Sequence, residues 1–434
     1  MSACKGKDGL IAPGRRSLLL GAAGVLAAGG LGAVGLAKLQ GGRALAPPSD
    51  PIPRDYFGMH IHNADTRTPW PSARFGSWRL WDAHVSWPQL QPRRGRWDFR
   101  RLDRYLAMAE QAGVDVLLPL GLSPAWASAR PSEASAYSPG NAAEPASIED
   151  WRQYVRTVAQ RYQGRIRHYE LWNEPNLKNF YTGSVEHMVN LGRETRAVLK
   201  QVDPDNRLAA PATTEGGRQL DWLDRYLALG GGQYLDVLSH HFYVPRESPE
   251  AMAGIMRDIR GLLAKHGVSG KPIWNTETGW WIDTPNASTS FTSWKKLRPS
   301  EAAAYVSRAL LLGWALGMQR FYWYSWEHSS MGLMDEKTLA LNDAGRAYIE
   351  TQAWMEGATM TDCLSSAGRW TCTLRRGESD AARVVWLEDG QDTPWRVPAE
   401  WRVRECVRLD GSRQTIEPVS PVVVIGQTPV LLRG

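Results

Sequence analysis

A chain of 434 residues that is 43% apolar, 10% aromatic and 22% charged is long enough for one large domain and a smaller one, and its balance excludes the disordered and fibrous classes. The formal charge of +6 belongs to the start of the chain: residues 1–46 hold Lys5, Lys7, Arg15, Arg16, Lys38 and Arg43 against Asp8, and the remainder carries 45 basic and 44 acidic residues. So nearly neutral a body offers a polyanion no electrostatic handhold, and no nucleic-acid partner is expected.

The segment Gly14-Arg15-Arg16-Ser17-Leu18-Leu19-Leu20 opens an Ala/Gly/Leu run that continues to Ala37 and resembles a twin-arginine export signal. Ala44-Leu45-Ala46 suits a cleavage site, whereas Pro47 directly after it does not. An uncleaved run of about 19 apolar residues just spans a bilayer, so an N-terminal membrane anchor is the alternative. Either reading sends the body out of the cytoplasm, to the periplasm or beyond. Cys4 lies in the leader, and an oxidising compartment permits one disulfide among Cys363, Cys372 and Cys406, with one thiol left over.

Beyond a Pro-rich linker (Ala46 to Pro53), apolar runs alternate with amphipathic stretches. Strands are predicted at 56–63 and 77–82, followed by a helix carrying Phe99, Leu102, Leu106 and Ala109 on one face and stopped by Gly113. Val114–Leu120 reads as a buried strand. Ser147 and Asp150 resemble a capping box ahead of a helix with Trp151, Tyr154, Val155, Val158 and Tyr162 on one face, ended by Gly164. Strands follow at 166–172, 207–212, 235–243, 272–276 and 320–326. Helices are expected from Ser184 to Val202, from Ser248-Pro249 to Gly267, from Ser300 to about Leu316, and from Asp343 onward. Parallel neighbours need crossover connections, and eight strands at roughly 34 residues per unit predict an α/β fold, a (β/α)8 TIM barrel over residues 47–358. An open doubly wound sheet is the alternative, but the Gly-rich phosphate turn it calls for is missing. Over residues 359–434, short β-type runs at 370–374, 384–387, 401–409 and 422–432 predict a small β-sandwich domain.

Active residues of such barrels stand where strands end on the C-terminal face. Two strand ends carry unusual sequence: Leu171-Trp172-Asn173-Glu174-Pro175-Asn176 after the fourth, and Trp274-Asn275-Thr276-Glu277-Thr278-Gly279-Trp280 after the seventh. Two carboxyls facing one cleft are what cleavage of an acetal needs, one to protonate the leaving oxygen and one to meet the charge on the anomeric carbon.

These two segments resemble those of clan A retaining glycosidases, and the chain from about residue 54 onward is most similar to glycoside hydrolase family 39. The family includes enzymes for xylosides, iduronides and bacterial exopolysaccharides. The resemblance implies catalysis by Glu174 as acid/base and Glu277 as nucleophile, without cofactor or metal. It assigns Asn173 to the sugar 2-hydroxyl, Arg79 to support of the nucleophile, His241 and Tyr243 to a sixth-strand His-x-Tyr pair, and Trp326 to the subsite floor. His62 and Trp126 are further candidates for sugar contact, and Trp280, Trp281 and Trp323 for stacking. Glu277 is expected to stay ionised beside Arg79 and Tyr243, and Glu174 to hold its proton. The implied substrate is an extracellular or cell-envelope polysaccharide, cut internally by a monomeric enzyme. Two other readings compete: a non-catalytic carbohydrate-binding protein on a degenerate barrel, and a metal-dependent amidohydrolase using the His60-Ile61-His62 pair.

Overall fold

The computed structural model describes residues 42–214, 220–284, 293–377 and 381–434; the Arg15-Arg16 motif and the middle of the Ser/Thr/Asn-rich segment after Glu277 lie outside the described residues. Eight parallel strands close a barrel in chain order: β1 (Phe57–Met59), β2 (Ser77–Arg79), β3 (Asp115–Leu120), β4 (His168–Leu171), β5 (Arg207–Thr214), β6 (Val237–His241), β7 (Ile273–Thr278) and β8 (Met318–Trp323). β1 closes on β8, with Phe57 opposite Phe321 and Met59 opposite Trp323.

All eight predicted strands are present; those predicted at 56–63, 77–82, 166–172 and 235–243 are shorter than predicted, and the last is shifted to Met318–Trp323. β1 stops at Met59 because the chain beyond it is drawn to Glu327, whose carboxylate accepts from the His62 N–H (2.7 Å), the Asn63 N–H (2.9 Å) and the Thr68 hydroxyl (3.0 Å). The helices start and stop as their punctuation demands. Ser147 accepts from the Asp150 N–H at the head of Ile148–Arg161, and Gly113 takes the left-handed φ of 61° that ends Arg100–Ala112. No helix among the described residues is long and apolar enough to cross a membrane.

The N-terminal end of the barrel is filled by Leu117, Ala209, Val237, Trp274 and Tyr322. Arg320 lies over the Trp274 ring at 4.4 Å and pairs with Asp115, which also meets His168 at 2.7 Å. Most of the large tryptophans are packing. Trp87 stacks on Tyr154 at 4.7 Å and meets Trp151 edge-on, and Trp78, Trp172, Trp280, Trp323, Trp370 and Trp386 are also fully buried.

The terminal region is antiparallel, with β9 (Thr359–Ser366), β10 (Arg369–Arg375), β11 (Ala382–Leu387), β12 (Thr393–Arg396), β13 (Glu405–Val407), β14 (Arg413–Thr415), β15 (Val422–Ile425) and β16 (Val430–Arg433). β12 and β15 form a two-stranded sheet; the others join a seven-stranded one, and Val385, Val397, Cys406, Val423, Ile425 and Leu432 pack as a separate core of this region. The seventh strand is Arg43–Leu45, which pairs along β9 with Leu45 opposite Cys363. These residues fall within the expected leader, which ends at residue 46. Residues 43–45 cover an open sheet edge, and a cut after Ala46 would uncover it. Cys363 faces Cys372 across β9 and β10 and is disulfide-bonded to it, while Cys406 is a buried free thiol.

Barrel and terminal sheet meet at a buried charge. The fully buried Arg308 donates its Nε–H to Glu250 (2.8 Å) and an Nη–H to the Glu388 carbonyl (3.1 Å), while the Trp386 indole N–H donates to Glu250 (2.9 Å). Removing one partner strands the other without water. Arg308→Met is expected to cost about 3–5 kcal/mol in denaturant unfolding, and the double variant Arg308→Met/Glu250→Leu to recover much of that loss.

Candidate active site

The residues at the C-terminal mouth of the barrel are aimed by irregular backbone. Trp172 and Glu174 occupy left-handed φ values of 63° and 44°, which non-glycine residues adopt only when the surroundings hold them there. The Trp172 N–H is bonded to the Leu120 carbonyl on β3 (2.8 Å), and the Glu174 N–H to the Ala212 carbonyl on β5 (2.9 Å). Asn176 clasps both backbone groups of Thr214 (3.1 and 3.2 Å). On β7 the register shifts against both neighbours, which places Glu277 opposite His241. Asn275 accepts from the Phe242 N–H and Thr278 donates to the Phe242 carbonyl, so the bulge is held from β6.

One guanidinium organises the polar groups. Arg79, fully buried at the end of β2, donates to Glu170 (2.6 Å), Glu277 (2.8 Å) and the Asn173 amide oxygen (2.7 Å). That contact turns the Asn173 amide so that its oxygen is taken and its N–H donors remain. The Tyr243 hydroxyl donates to the other oxygen of Glu277 (2.9 Å). His241 Nδ1 lies 2.9 Å from Glu174 and 3.9 Å from Glu277. One oxygen of each carboxylate and a ring nitrogen of His241 all lie within 4.8 Å of one another.

Burial pushes the Glu277 carboxyl up to about 8; Arg79 opposes this, the charges of Glu174 and Asp82 add to it, and the Tyr243 hydrogen bond opposes it. The donors expected around Glu277 are thus present, and burial and the neighbouring charges act against them. His241 is held neutral, first by burial and then by Arg79. Such a pair of neighbouring carboxyls titrates as a unit, and near neutral pH it keeps one proton.

Residues 80–307 match the sequence profile of glycosyl hydrolases family 39. The chain belongs to that family. Relatives of known name include a beta-xylosidase of Geobacillus stearothermophilus, 25% identical over 244 residues, and one of Caldicellulosiruptor saccharolyticus, 33% identical over 115 residues. These alignments take in 49% and 23% of this chain and only 45% and 24% of the relatives' own lengths. Among solved structures, a family 39 glycoside hydrolase from Bacteroides cellulosilyticus WH2 superposes with a TM-score of 0.69 at 17% identity, covering 88% of this chain and 81% of that one. A family 39 beta-xylosidase from Caulobacter crescentus gives 0.62 at 17% identity, covering 90% and 97%. These two likenesses establish a shared fold.

In this family 39 chain, the structure brings Arg79, Asn173, Glu174, His241, Tyr243 and Glu277 together. Trp326 is buried just beyond β8, its backbone N–H on the His60 carbonyl. His62 lies against the Tyr324 ring at 5.1 Å. Trp126 is not among them: its indole donates to the Gln91 carbonyl, abuts Trp87 and lies beneath Arg94. Trp280 and Trp323 are packed against each other at 5.8 Å with both indole N–H groups bonded to backbone, so neither is a sugar platform. Trp281 is buried as well. His60 bonds the Thr276 carbonyl, and among the described residues neither it nor His62 joins a group with metal-ligand spacing. The cluster that has such spacing, Glu174, His241 and Glu277, already carries the Arg79 charge.

Sequence reasoning passed over Glu170, Asp82, Tyr137, Tyr324 and Trp294. Glu170 carried a signal, since an acidic residue inside a buried strand requires a buried cation. Trp294, half-buried beside Tyr243 at 5.4 Å, carried none.

The burial of Glu277 has a consequence for stability. An ordinary glutamate at 4.5 ionises in the unfolded chain well before the buried pair loses its last proton, at about 8. The pair's contribution is therefore fully present below about pH 4.5 and is lost as pH rises to about 8. Glutamine does not titrate. The melting temperature of Glu277→Gln relative to the native chain is expected to climb across that interval and level off above it, by an amount equivalent to at most about 4–5 kcal/mol. Paired thermal melts from pH 4 to 9 check this, and a difference that is flat with pH contradicts it.

Proposed function

We propose that this chain is a retaining glycosidase in which Glu277 is the nucleophile and Glu174 the acid/base. The observation that carries the reading is an asymmetry within a close pair. An oxygen of one carboxyl lies within 4.8 Å of an oxygen of the other, but the cation and the phenol donate to Glu277, while Glu174 has a neutral imidazole. Negative charge is therefore best held on Glu277 and the shared proton on Glu174. The separation is compatible with the roughly 5–5.5 Å of retaining enzymes and too small for the roughly 6.5–9.5 Å that leaves room for an inverting water.

The chemistry follows from this placement. Glu174 gives its proton to the glycosidic oxygen as a Glu277 oxygen attacks the anomeric carbon, so the C–O bond to the leaving group breaks and a glycosyl ester forms. Esterified Glu277 is neutral, its repulsion on Glu174 is gone, and Glu174 now holds its charge as a base. It takes a proton from water, whose oxygen attacks the anomeric carbon and releases Glu277 with net retention. Arg79 and Tyr243 favour the carboxylate leaving group in this second step, and the Asn173 N–H donors suit a 2-hydroxyl that becomes more acidic in the transition state.

The proposal extends to an internal bond of an extracellular or envelope polysaccharide, reached through twin-arginine export. Support for internal cleavage comes from part-exposed aromatic rings, Tyr137 on the β3 loop and Trp294 after β7, as ground for sugars on more than one side. The beta-xylosidase names of the aligned relatives favour a second reading, release of a terminal sugar. Product sizing separates the two, because monosaccharide alone as product contradicts internal cleavage. Glu277→Gln is expected to lower kcat at least ~10³-fold on every glycoside. Glu174→Gln should lose as much on natural glycans but far less on an aryl glycoside with an acidic leaving group, where azide should restore turnover. Undiminished sugar release by both variants would end the hydrolase reading.

A further inference from the structure

Beside the carboxylate pair, the loop after β2 holds a third acidic residue in an unusual setting. Asp82 accepts the Tyr137 hydroxyl on one oxygen and the Tyr324 hydroxyl on the other, each at 2.7 Å. The three come from the loops after β2, β3 and β8. The Tyr324 N–H is bonded to the Thr278 carbonyl (2.8 Å), one residue from Glu277. The charge of Asp82 is felt at Glu277, and those of both Glu277 and Glu174 at Tyr137. Asp82, Tyr137, Trp81, His84, Gln89 and Leu122 line one cavity, and Asp82, His84 and Leu122 all have left-handed φ near 60°. Backbone of that kind persists where neighbours over-determine it, and it gathers at ligand sites.

The donor and acceptor inventory of this clamp is one-sided. Both phenolic hydrogens are directed to Asp82, so each phenol offers only lone pairs, and the carboxylate still has roughly two of its four acceptor positions. Burial, with Asp82 as the next cause, keeps both phenols protonated. The flanking His84 and His328 are held below the ordinary histidine value, chiefly by burial, and so stay neutral. Arg79, the cation bonded to the carboxylate pair, is occupied by Glu170, Glu277 and Asn173.

We infer that Asp82, clamped by Tyr137 and Tyr324, is a specificity wall that selects a neutral sugar presenting hydroxyl donors and rejects a uronic acid beside the scissile bond. This rests on the glycosidase reading and narrows it. A hydroxyl donates to the free lone pairs of the clamp. A uronate carboxylate has no hydrogen to give and would enter, partly dehydrated, among like charges; repulsion between unit charges several ångströms apart in a protein cleft is worth about 100-fold in affinity.

The test titrates Glu174→Gln protein calorimetrically with paired panels of gluco- and galacto-oligosaccharides, each against its C6-oxidised, carboxylate-bearing counterpart of equal length. The neutral member is expected to bind about 100-fold more tightly. Asp82→Asn, which removes the charge and supplies N–H donors, is expected to narrow that ratio at least tenfold. Tyr137→Phe should weaken the neutral ligand severalfold. A residue that merely supported the loop would weaken both ligands alike and leave the ratio unmoved. Equal binding of the two ligands, or an unchanged ratio in Asp82→Asn, overturns the inference. Selective binding of neutral oligosaccharides that the native chain never cleaves would instead overturn the hydrolase reading and leave the wall in place.

Discussion

The site depends on burying one guanidinium in the mouth of a closed barrel. A cation without water survives only if its hydrogens are taken by acceptors that also carry charge. Arg79 meets that requirement by drawing in Glu170 from β4 and Glu277 from β7, strands on different sides of the ring, and by turning the Asn173 amide between them. Once these are placed, little freedom remains. Glu277 is fixed on one oxygen by Arg79 and on the other by Tyr243, and His241 reaches Glu174. The difference between the two carboxyls is thus a product of what reaches each of them, since as residue types they are the same.

Placement at this accuracy cannot come from regular strands, whose side chains alternate at a fixed interval. The chain breaks the pattern where it needs to. The left-handed residues Trp172 and Glu174 turn the end of β4, and a register shift does the same on β7. Each irregular stretch is tied to its neighbour by backbone or amide hydrogen bonds, to β3 and β5 in one case and β6 in the other. The strain is concentrated around the mouth, and the loop carrying Asp82 and His84 continues it.

Much of this was legible in the residues. Eight apolar runs separated by capped amphipathic segments give a parallel barrel with few alternatives, because Ser147, Gly113 and Pro249 punctuate helices for local reasons that tertiary context does not reverse. The two glutamates were legible because both stand at strand ends beside Trp and Asn. What escaped was whatever depends on loops meeting in space. Asp82 at the end of a short strand looks like any solvated turn residue until Tyr137 and Tyr324 arrive from 55 and 242 positions away. The pairing of Arg43–Leu45 along β9 joins residues far apart in the chain and leaves no sign in either segment alone. Abundant tryptophan misleads in the other direction. The same flat apolar face suits a sugar ring or a protein core, and burial, which decides between them, is not a property of sequence.

The proton ties these layers together. Two carboxyls buried within 4.8 Å cannot both be charged without a large penalty, so the pair keeps one proton at neutral pH. On the proposed double displacement, the stored proton is the one the leaving oxygen needs, and the carboxylate without it faces the cation. Forming the ester would then remove a charge from the pair and so reverse the demand on Glu174 from acid to base, with no movement of protein required. Arg79 must therefore be strong enough to keep charge on Glu277 yet not so dominant that both carboxyls ionise. Glu170, a carboxylate that faces no reacting atom in this scheme, shares that cation with Glu277.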